Sequence, residues 1–150
     1  MLKTILLIED NSDDVFFMEQ AKKNAGIRNP MQVLKDGRQA LDYLQGHGIY
    51  QDRQKHPLPF LVLMDLKLPY VPGLEVLKWI RDRPELETML IVILTSSKED
   101  RDIDRAYRLG ANSYLVKPPN AAKLQDMVKL LGEYWLGQNQ PPIHIEEVAK

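Results

Sequence analysis

Five short apolar runs, each followed by a stretch with helical spacing, limit what this chain can fold into. The runs are Ile5–Ile8, Met31–Leu34, Phe60–Met64, Met89–Leu94 and Tyr114–Val116. They are largely continuous rather than alternating, which marks strands covered on both faces. The segments between them carry apolar stripes: Val15, Met18, Ala21 and Ala25 over about 13–25; Ala40, Leu41 and Leu44 over about 38–45; Leu74, Leu77 and Ile80 over about 74–83. Two more follow, about 98–109, opened by Ser97-x-x-Asp100 and closed by Gly110, and about 121–136 with Leu124, Val128, Leu131 and Trp135. Five strand–helix repeats predict an α/β, doubly wound, five-stranded parallel sheet with helices on both faces. All ten prolines fall outside these elements, so local and global signals agree. Gly46–Pro59 reads as a long exposed loop, and residues 137–150, with Pro141-Pro142, as a loosely held tail.

Composition removes several function classes. Twenty Lys+Arg nearly balance twenty-one Asp+Glu, so no electrostatic case exists for binding nucleic acid or an anionic membrane. The chain has no cysteine, which excludes disulfides, thiolate nucleophiles and Cys-ligated metals, and fits a cytoplasmic protein. Its three histidines are scattered, with no pair at metal-ligand spacing. The longest apolar run, Met89–Leu94, is far short of the ~20 residues of a spanning helix. No secretory signal is expected at the N-terminus.

Open parallel sheets bind ligands beyond the carboxyl ends of their strands, where the strand order reverses. In the order 2-1-3-4-5 the first and third strands flank that crevice. The strands there end in Glu9-Asp10, Asp65, Thr95 and Lys117. Clustered carboxylates repel and need a cation, and hard oxygen donors suit Mg²⁺. A carboxylate beside Mg²⁺ can attack a phosphoryl group; a lysine and a hydroxyl can meet the phosphoryl oxygens. Each residue alone also has a plainer role. Glu9, Asp10, Asp13 and Asp14 favour a helix N-terminus, Thr95 to Ser97 could cap a helix, Asp65 could form a turn, and Lys117 could be a turn lysine. Their joint placement is what points to phosphoryl chemistry.

The residues Ile5-Leu6-Leu7-Ile8-Glu9-Asp10-Asn11, Leu63-Met64-Asp65-Leu66-Lys67-Leu68-Pro69 with Gly73, Ile93-Leu94-Thr95-Ser96 and Tyr114-Leu115-Val116-Lys117-Pro118 resemble the receiver domain of two-component response regulators. The likeness spans about 3–136 and implies the flavodoxin-like receiver fold, a receiver domain over 1–136, and a tail over 137–150 with no output domain. It implies Asp65 as phosphoacceptor and Mg²⁺ held by Glu9, Asp10, Asp65 and the Lys67 backbone carbonyl. Thr95 and Tyr114 become the switch pair, Lys117 the phosphate-contacting lysine, and Lys117–Pro118 a peptide that is often cis in the family. The protein would be a phosphoacceptor that assists its own phosphorylation and dephosphorylation, rather than an enzyme. The segment Leu44–Pro59, the Asp65–Pro69 run and Tyr134-Trp135-Leu136 look more narrowly like single-domain regulators paired with phytochrome-type histidine kinases.

Other functions fit the same architecture less well. A flavin-nucleotide binder wants a Ser/Thr/Gly-rich first loop, and this one is acidic. A haloacid-dehalogenase-type phosphatase wants a second Asp where Lys67 stands. A degenerate receiver would lack the set from Glu9 to Lys117. On the last helix a second apolar set, Met127, Leu130 and Tyr134, lies beside the core stripe. With Arg101, Asp102, Asp104, Arg105 and Arg108 on the helix before, it predicts a homodimer through the fourth helix, fifth strand and fifth helix.

Overall fold

A computed structural model describes residues 2–142. The elements are β1 (Ile5–Ile8), α1 (Ser12–Asn24), β2 (Met31–Leu34), α2 (Gly37–Gln45), β3 (Leu61–Met64), α3 (Gly73–Arg81), β4 (Leu90–Thr95), α4 (Asp100–Arg108), β5 (Ser113–Val116) and α5 (Ala121–Leu131). The strands form one parallel sheet in the order β2-β1-β3-β4-β5. Helices α1 and α5 pack together on one face; α2, α3 and α4 follow one another on the other. The central strands β1, β3 and β4 are buried at every residue, whereas the edge strands β2 and β5 are mostly half-buried.

Side chains close the starts of α1, α2 and α5. Asn11 accepts the N–H groups of Asp13 and Asp14 to open α1, Asp36 accepts that of Gln39 at 2.7 Å to open α2, and Asn120 accepts that of Lys123 to open α5. Helix α2 ends on Gly46 in the left-handed region, φ 72°. The predicted stripes face inward, joined by Tyr43 and Val76, which are fully buried.

Several expectations need correction. Ser97-x-x-Asp100 does not open α4: Glu99 stands at the cap position without a side-chain bond, while the Ser97 hydroxyl donates to Asp102 Oδ2 at 2.6 Å. The last helix does not remain α-helical to 136; it widens into π-helical turns over Gly132–Gln138, where the missing Gly132 side chain admits Ile27. The Lys117–Pro118 peptide is trans. The tail is described only as far as Pro142; residues 143–150 lie outside the described residues.

The 46–59 segment is also more than an exposed loop. It contains a short 3₁₀ turn, Gly48–Tyr50. The Arg53 guanidinium donates to the carbonyls of Tyr43 at 2.7 Å, Leu44 at 2.9 Å and His56 at 3.0 Å. The Leu44 carbonyl and that of Tyr43, which also accepts the Gly46 N–H at 3.1 Å, lie at the end of α2, where a cation is favoured. Tyr43 donates its hydroxyl to the Pro57 carbonyl at 2.7 Å, and its ring packs against Tyr50 and His56.

The loop between β3 and α3 is wedged tightly. A Cβ on Gly73 would lie 2.3 Å from the Asp65 carbonyl oxygen, and one on Gly37 would lie 1.9 Å from that of Val71. Tyr70 takes a positive φ of 67°, with the Arg38 guanidinium 3.9 Å from its ring centroid. Because the obstacle at Gly73 is backbone, Gly73→Ala should cost at least about 2 kcal/mol in urea unfolding. A change below about 0.5 kcal/mol would show that α3 can pull away freely.

Candidate functional site

Strand register assembles the site. Ile8 pairs with Met64, and the Asp65 N–H donates to the Ile8 carbonyl at 3.1 Å, so Glu9 and Asp65 leave neighbouring strands side by side. Thr95 pairs with Val116, and the Lys117 N–H donates to the Thr95 carbonyl at 2.8 Å. Glu9, Asp65 and Thr95 are buried, Lys117 is half-buried, and Asp10 is exposed at the rim.

Carboxylate oxygens of Glu9, Asp10 and Asp65 lie within 4.8 Å of one another. At an effective dielectric of about 20, two unit charges at that separation repel by about 3–4 kcal/mol. Positive charge must therefore enter. Lys117 supplies it: its Nζ donates to Asp65 Oδ2 at 2.9 Å, to Asp14 Oδ2 at 2.9 Å and to Glu9 Oε1. Glu9 Oε2 accepts the Asn11 N–H at 3.2 Å, and Asp65 Oδ1 accepts the Lys67 N–H at 3.3 Å.

The charges respond unequally. Burial would push the Asp65 carboxyl up, but the Lys117 bond, helped by the nearby Thr95 hydroxyl, holds it below its ordinary 3.8. Glu9 goes the other way: burial raises it, the Asp65 charge adds to that, and Lys117 offsets only part. Burial alone would lower Lys117, yet its bonds to Asp65, Glu9 and Asp14 keep it above the usual lysine value. Asp65 is thus an ionised, acceptor-only carboxylate with one oxygen on an ammonium and the other on an amide.

Thr95 is fully buried and its Oγ1 has no hydrogen-bond partner. A buried hydroxyl left open costs about 1–3 kcal/mol, and this one lies close to the Asp65 carboxylate. Tyr114 is half-buried and donates its hydroxyl to the Ser97 carbonyl at 3.0 Å, two residues past Thr95. Beside the charges, a cavity of about 360 Å³ opens between α1 and α5, lined by Phe17, Met18, Met64, Leu94, Pro118 and Leu124 among others.

The acidic set fits a hard divalent cation. Three carboxylates each offer an oxygen, the hard donor type that Mg²⁺ prefers. Glu9, Asp10 and Asp65 would hold such an ion.

The chain matches the family model described as the response regulator receiver domain over residues 5–129. It belongs to the response regulator receiver family. Receivers are the signalling modules of two-component systems, and that is the class of this protein. Among curated relatives, the probable methanogenesis regulatory protein FilR2 of Methanothrix harundinacea is 41% identical over 92% of this chain and 86% of its own. Response regulator Rcp1 of Synechocystis is 37% identical over 89% of each. A crystal structure of the Mn(2+)-bound form of response regulator Rcp1 superimposes with a TM-score of 0.84 at 36% identity, covering 93% of this chain and 99% of that one. The phosphorylated cyanobacterial phytochrome response regulator RcpA gives a TM-score of 0.88 at 34% identity, covering 95% and 99%.

Glu9, Asp10, Asp65, Thr95 and Lys117 gather at one edge of this receiver's sheet, as their strand-end positions predict. Tyr114 stands three residues before Lys117, paired with Ile93, and its hydroxyl reaches the β4–α4 loop. Lys67 meets Asp65 through its backbone N–H, while its side chain is exposed. Sequence reasoning missed the contact of Asp14 with Lys117. Its acidic run at a helix start was the available signal, and a helix-end role explained that run without a partner.

Removing the cation tests the electrostatics. In Lys117→Met the Asp65 carboxyl should titrate at higher pH than in the wild type, read from its ¹³C shift. A depressed carboxyl stabilises the fold above its unfolded value and loses that contribution as pH falls through the folded one. The variant should therefore lose less stability on acidification through that window. An Asp65 titration unmoved by the substitution would contradict the role given to Lys117.

Proposed function

We propose that this protein is a response regulator with a receiver over 1–136, followed by residues 137–150. It accepts a phosphoryl group on Asp65 from a histidine kinase in the cytoplasm. The observation that carries this reading is Asp65 itself: buried, ionised and held by Lys117 and the Lys67 amide at the end of β3. One carboxylate oxygen attacks phosphorus, the phosphorus–nitrogen bond of the donor phosphohistidine breaks, and the imidazole leaves. Glu9, Asp10, Asp65 and the Lys67 carbonyl would hold Mg²⁺, which would supply positive charge to offset that on the phosphoryl oxygens. Lys117 meets one of those oxygens, and the unpartnered Thr95 hydroxyl donates to another. Thr95 then draws the β4–α4 loop and Tyr114 with it. The protein assists its own phosphorylation and dephosphorylation. The likeness to the phytochrome response regulator RcpA supports a phytochrome-type kinase as donor.

Acetyl phosphate with Mg²⁺ should label the wild type with an adduct that base and hydroxylamine remove. Asp65→Asn should stay unlabelled; a persistent adduct in that variant would move the acceptor elsewhere. Thr95→Ala should be labelled yet show a much reduced amide-shift response in α4 and β5, because a ligand shifts an equilibrium only through differential contacts. A full response in labelled Thr95→Ala would remove Thr95 from the switch.

The signalling surface we assign is the α4–β5–α5 face, acting as a homodimer interface. The second stripe of α5 supports it: Leu130 is 66% exposed and Tyr134 51%, with Tyr107 of α4 at 49%. Leu115, Met127, Leu130 and Trp135 share one groove there. On α4, Arg101 bonds Glu99 and Arg108 bonds Asp104, charges that a second copy can exchange across a two-fold axis. Such exposed pairs set register more than affinity. Sedimentation at micromolar concentration should show a dimer that tightens with beryllofluoride and Mg²⁺. A monomer under both conditions would refute the interface.

A further inference from the structure

Asp14 occupies the third position of α1, where an acidic side chain ordinarily turns back to the N–H of the capping residue. That N–H is already taken: Asn11 donates it to Glu9 Oε2 at 3.2 Å. Asn11 Oδ1 in turn accepts the N–H groups of Asp13 at 3.0 Å and Asp14 at 3.1 Å, fixing the backbone of the turn. The Asp14 carboxylate is thus free of helix capping, and it reaches across 103 positions of sequence to Lys117 Nζ at 2.9 Å.

An ammonium has three N–H donors, and Lys117 spends them on Glu9, Asp65 and Asp14. On the reading of Asp65 as phosphoacceptor, an oxygen of Asp65 becomes the ester oxygen and Glu9 belongs to the acidic pair. Asp14 alone of the three acceptors is committed to neither task. We propose that Asp14 is a positioning residue for phosphoryl transfer, anchoring the Lys117 ammonium while its other two partners are drawn to the reacting group. The inference rests on the phosphoacceptor reading and adds to it a residue outside the acidic set within 4.8 Å.

Two effects of Asp14 oppose each other. Its charge repels an incoming phosphoryl anion, and its bond fixes a long, flexible lysine in advance. The side chain of Asp14 is 41% exposed, so water screens its longer-range repulsion. The bond to Lys117 is direct and charge-assisted, and the Lys117 side chain is only 17% exposed. Preorganised charge of this kind lowers a barrier because it need not be reoriented during the reaction. Positioning therefore outweighs repulsion.

The test compares labelling rates of the full chain by acetyl phosphate with Mg²⁺. Asp14→Ala should slow labelling about three- to tenfold, the loss expected for one partly exposed charge-assisted bond. Asp14→Asn, which keeps the shape, should also slow it. Asp14→Glu should restore most of the rate, since the longer arm reaches the same nitrogen. Mg²⁺ affinity should be unchanged in all three, which a merely structural lesion of the site would not allow. In a Lys117→Ala background, Asp14→Ala should cause no further loss, because the residue acts only through the lysine. A rate in Asp14→Ala equal to or above that of the wild type, or the same loss without Lys117, overturns the proposal. An unlabelled wild type refutes the phosphoacceptor reading and this inference together, whereas normal labelling with no Asp14 effect refutes this inference alone.

Discussion

Carboxylates crowded at one edge of a parallel sheet have to be reconciled by the Lys117 ammonium. Lys117 binds Glu9, Asp65 and Asp14 at once, and so joins the ends of β1, β3 and β5 to the start of α1. Without a positive charge, Glu9 and Asp65 would repel by several kcal/mol in surroundings that exclude most water. With Lys117 in place, Asp65 stays ionised while Glu9 is pushed up, and the two acids are differentiated by environment alone. The cluster remains short of positive charge, which is why a divalent cation fits it.

Sheet register turns this constraint into a site. Asp65 follows Met64, which faces Ile8; Lys117 follows Val116, which faces Thr95. A slip of one residue on any central strand would bury a charge in the core or lift it away from its partners. The close approach of Gly73 to the Asp65 carbonyl holds the following loop down, so Asp65 is fixed from both sides. Thr95 stands fully buried with an open hydroxyl beside this charge, and Tyr114 is already tied to the Ser97 carbonyl. On the proposed function, a change in charge at Asp65 would have a short route to the α4–β5–α5 face.

The sheet was legible in the sequence because each strand is an apolar run that both faces require, and the site because each run stops at a polar residue. Features set by single long-range contacts were not legible. Arg53 staples its loop by bonding backbone carbonyls, which any sequence supplies, so the segment reads as exposed when it is pinned. Ser97 matches a capping pattern, but Asp102 captures its hydroxyl. The widening after Leu131 depends on Ile27 entering beside Gly132, a contact between distant segments. Asp14 has an adequate local explanation at a helix start, and only the third dimension reveals Lys117 opposite it.

The most direct measurement is reductive trapping of the acyl phosphate. Borohydride converts a phosphorylated aspartate to homoserine, and peptide mass spectrometry then locates it. After treatment with acetyl phosphate and Mg²⁺, homoserine should appear at position 65 and at no other acidic residue of the cluster. Homoserine at Asp10, Asp13 or Asp14, or an adduct that leaves Asp65 unreduced, would contradict the account.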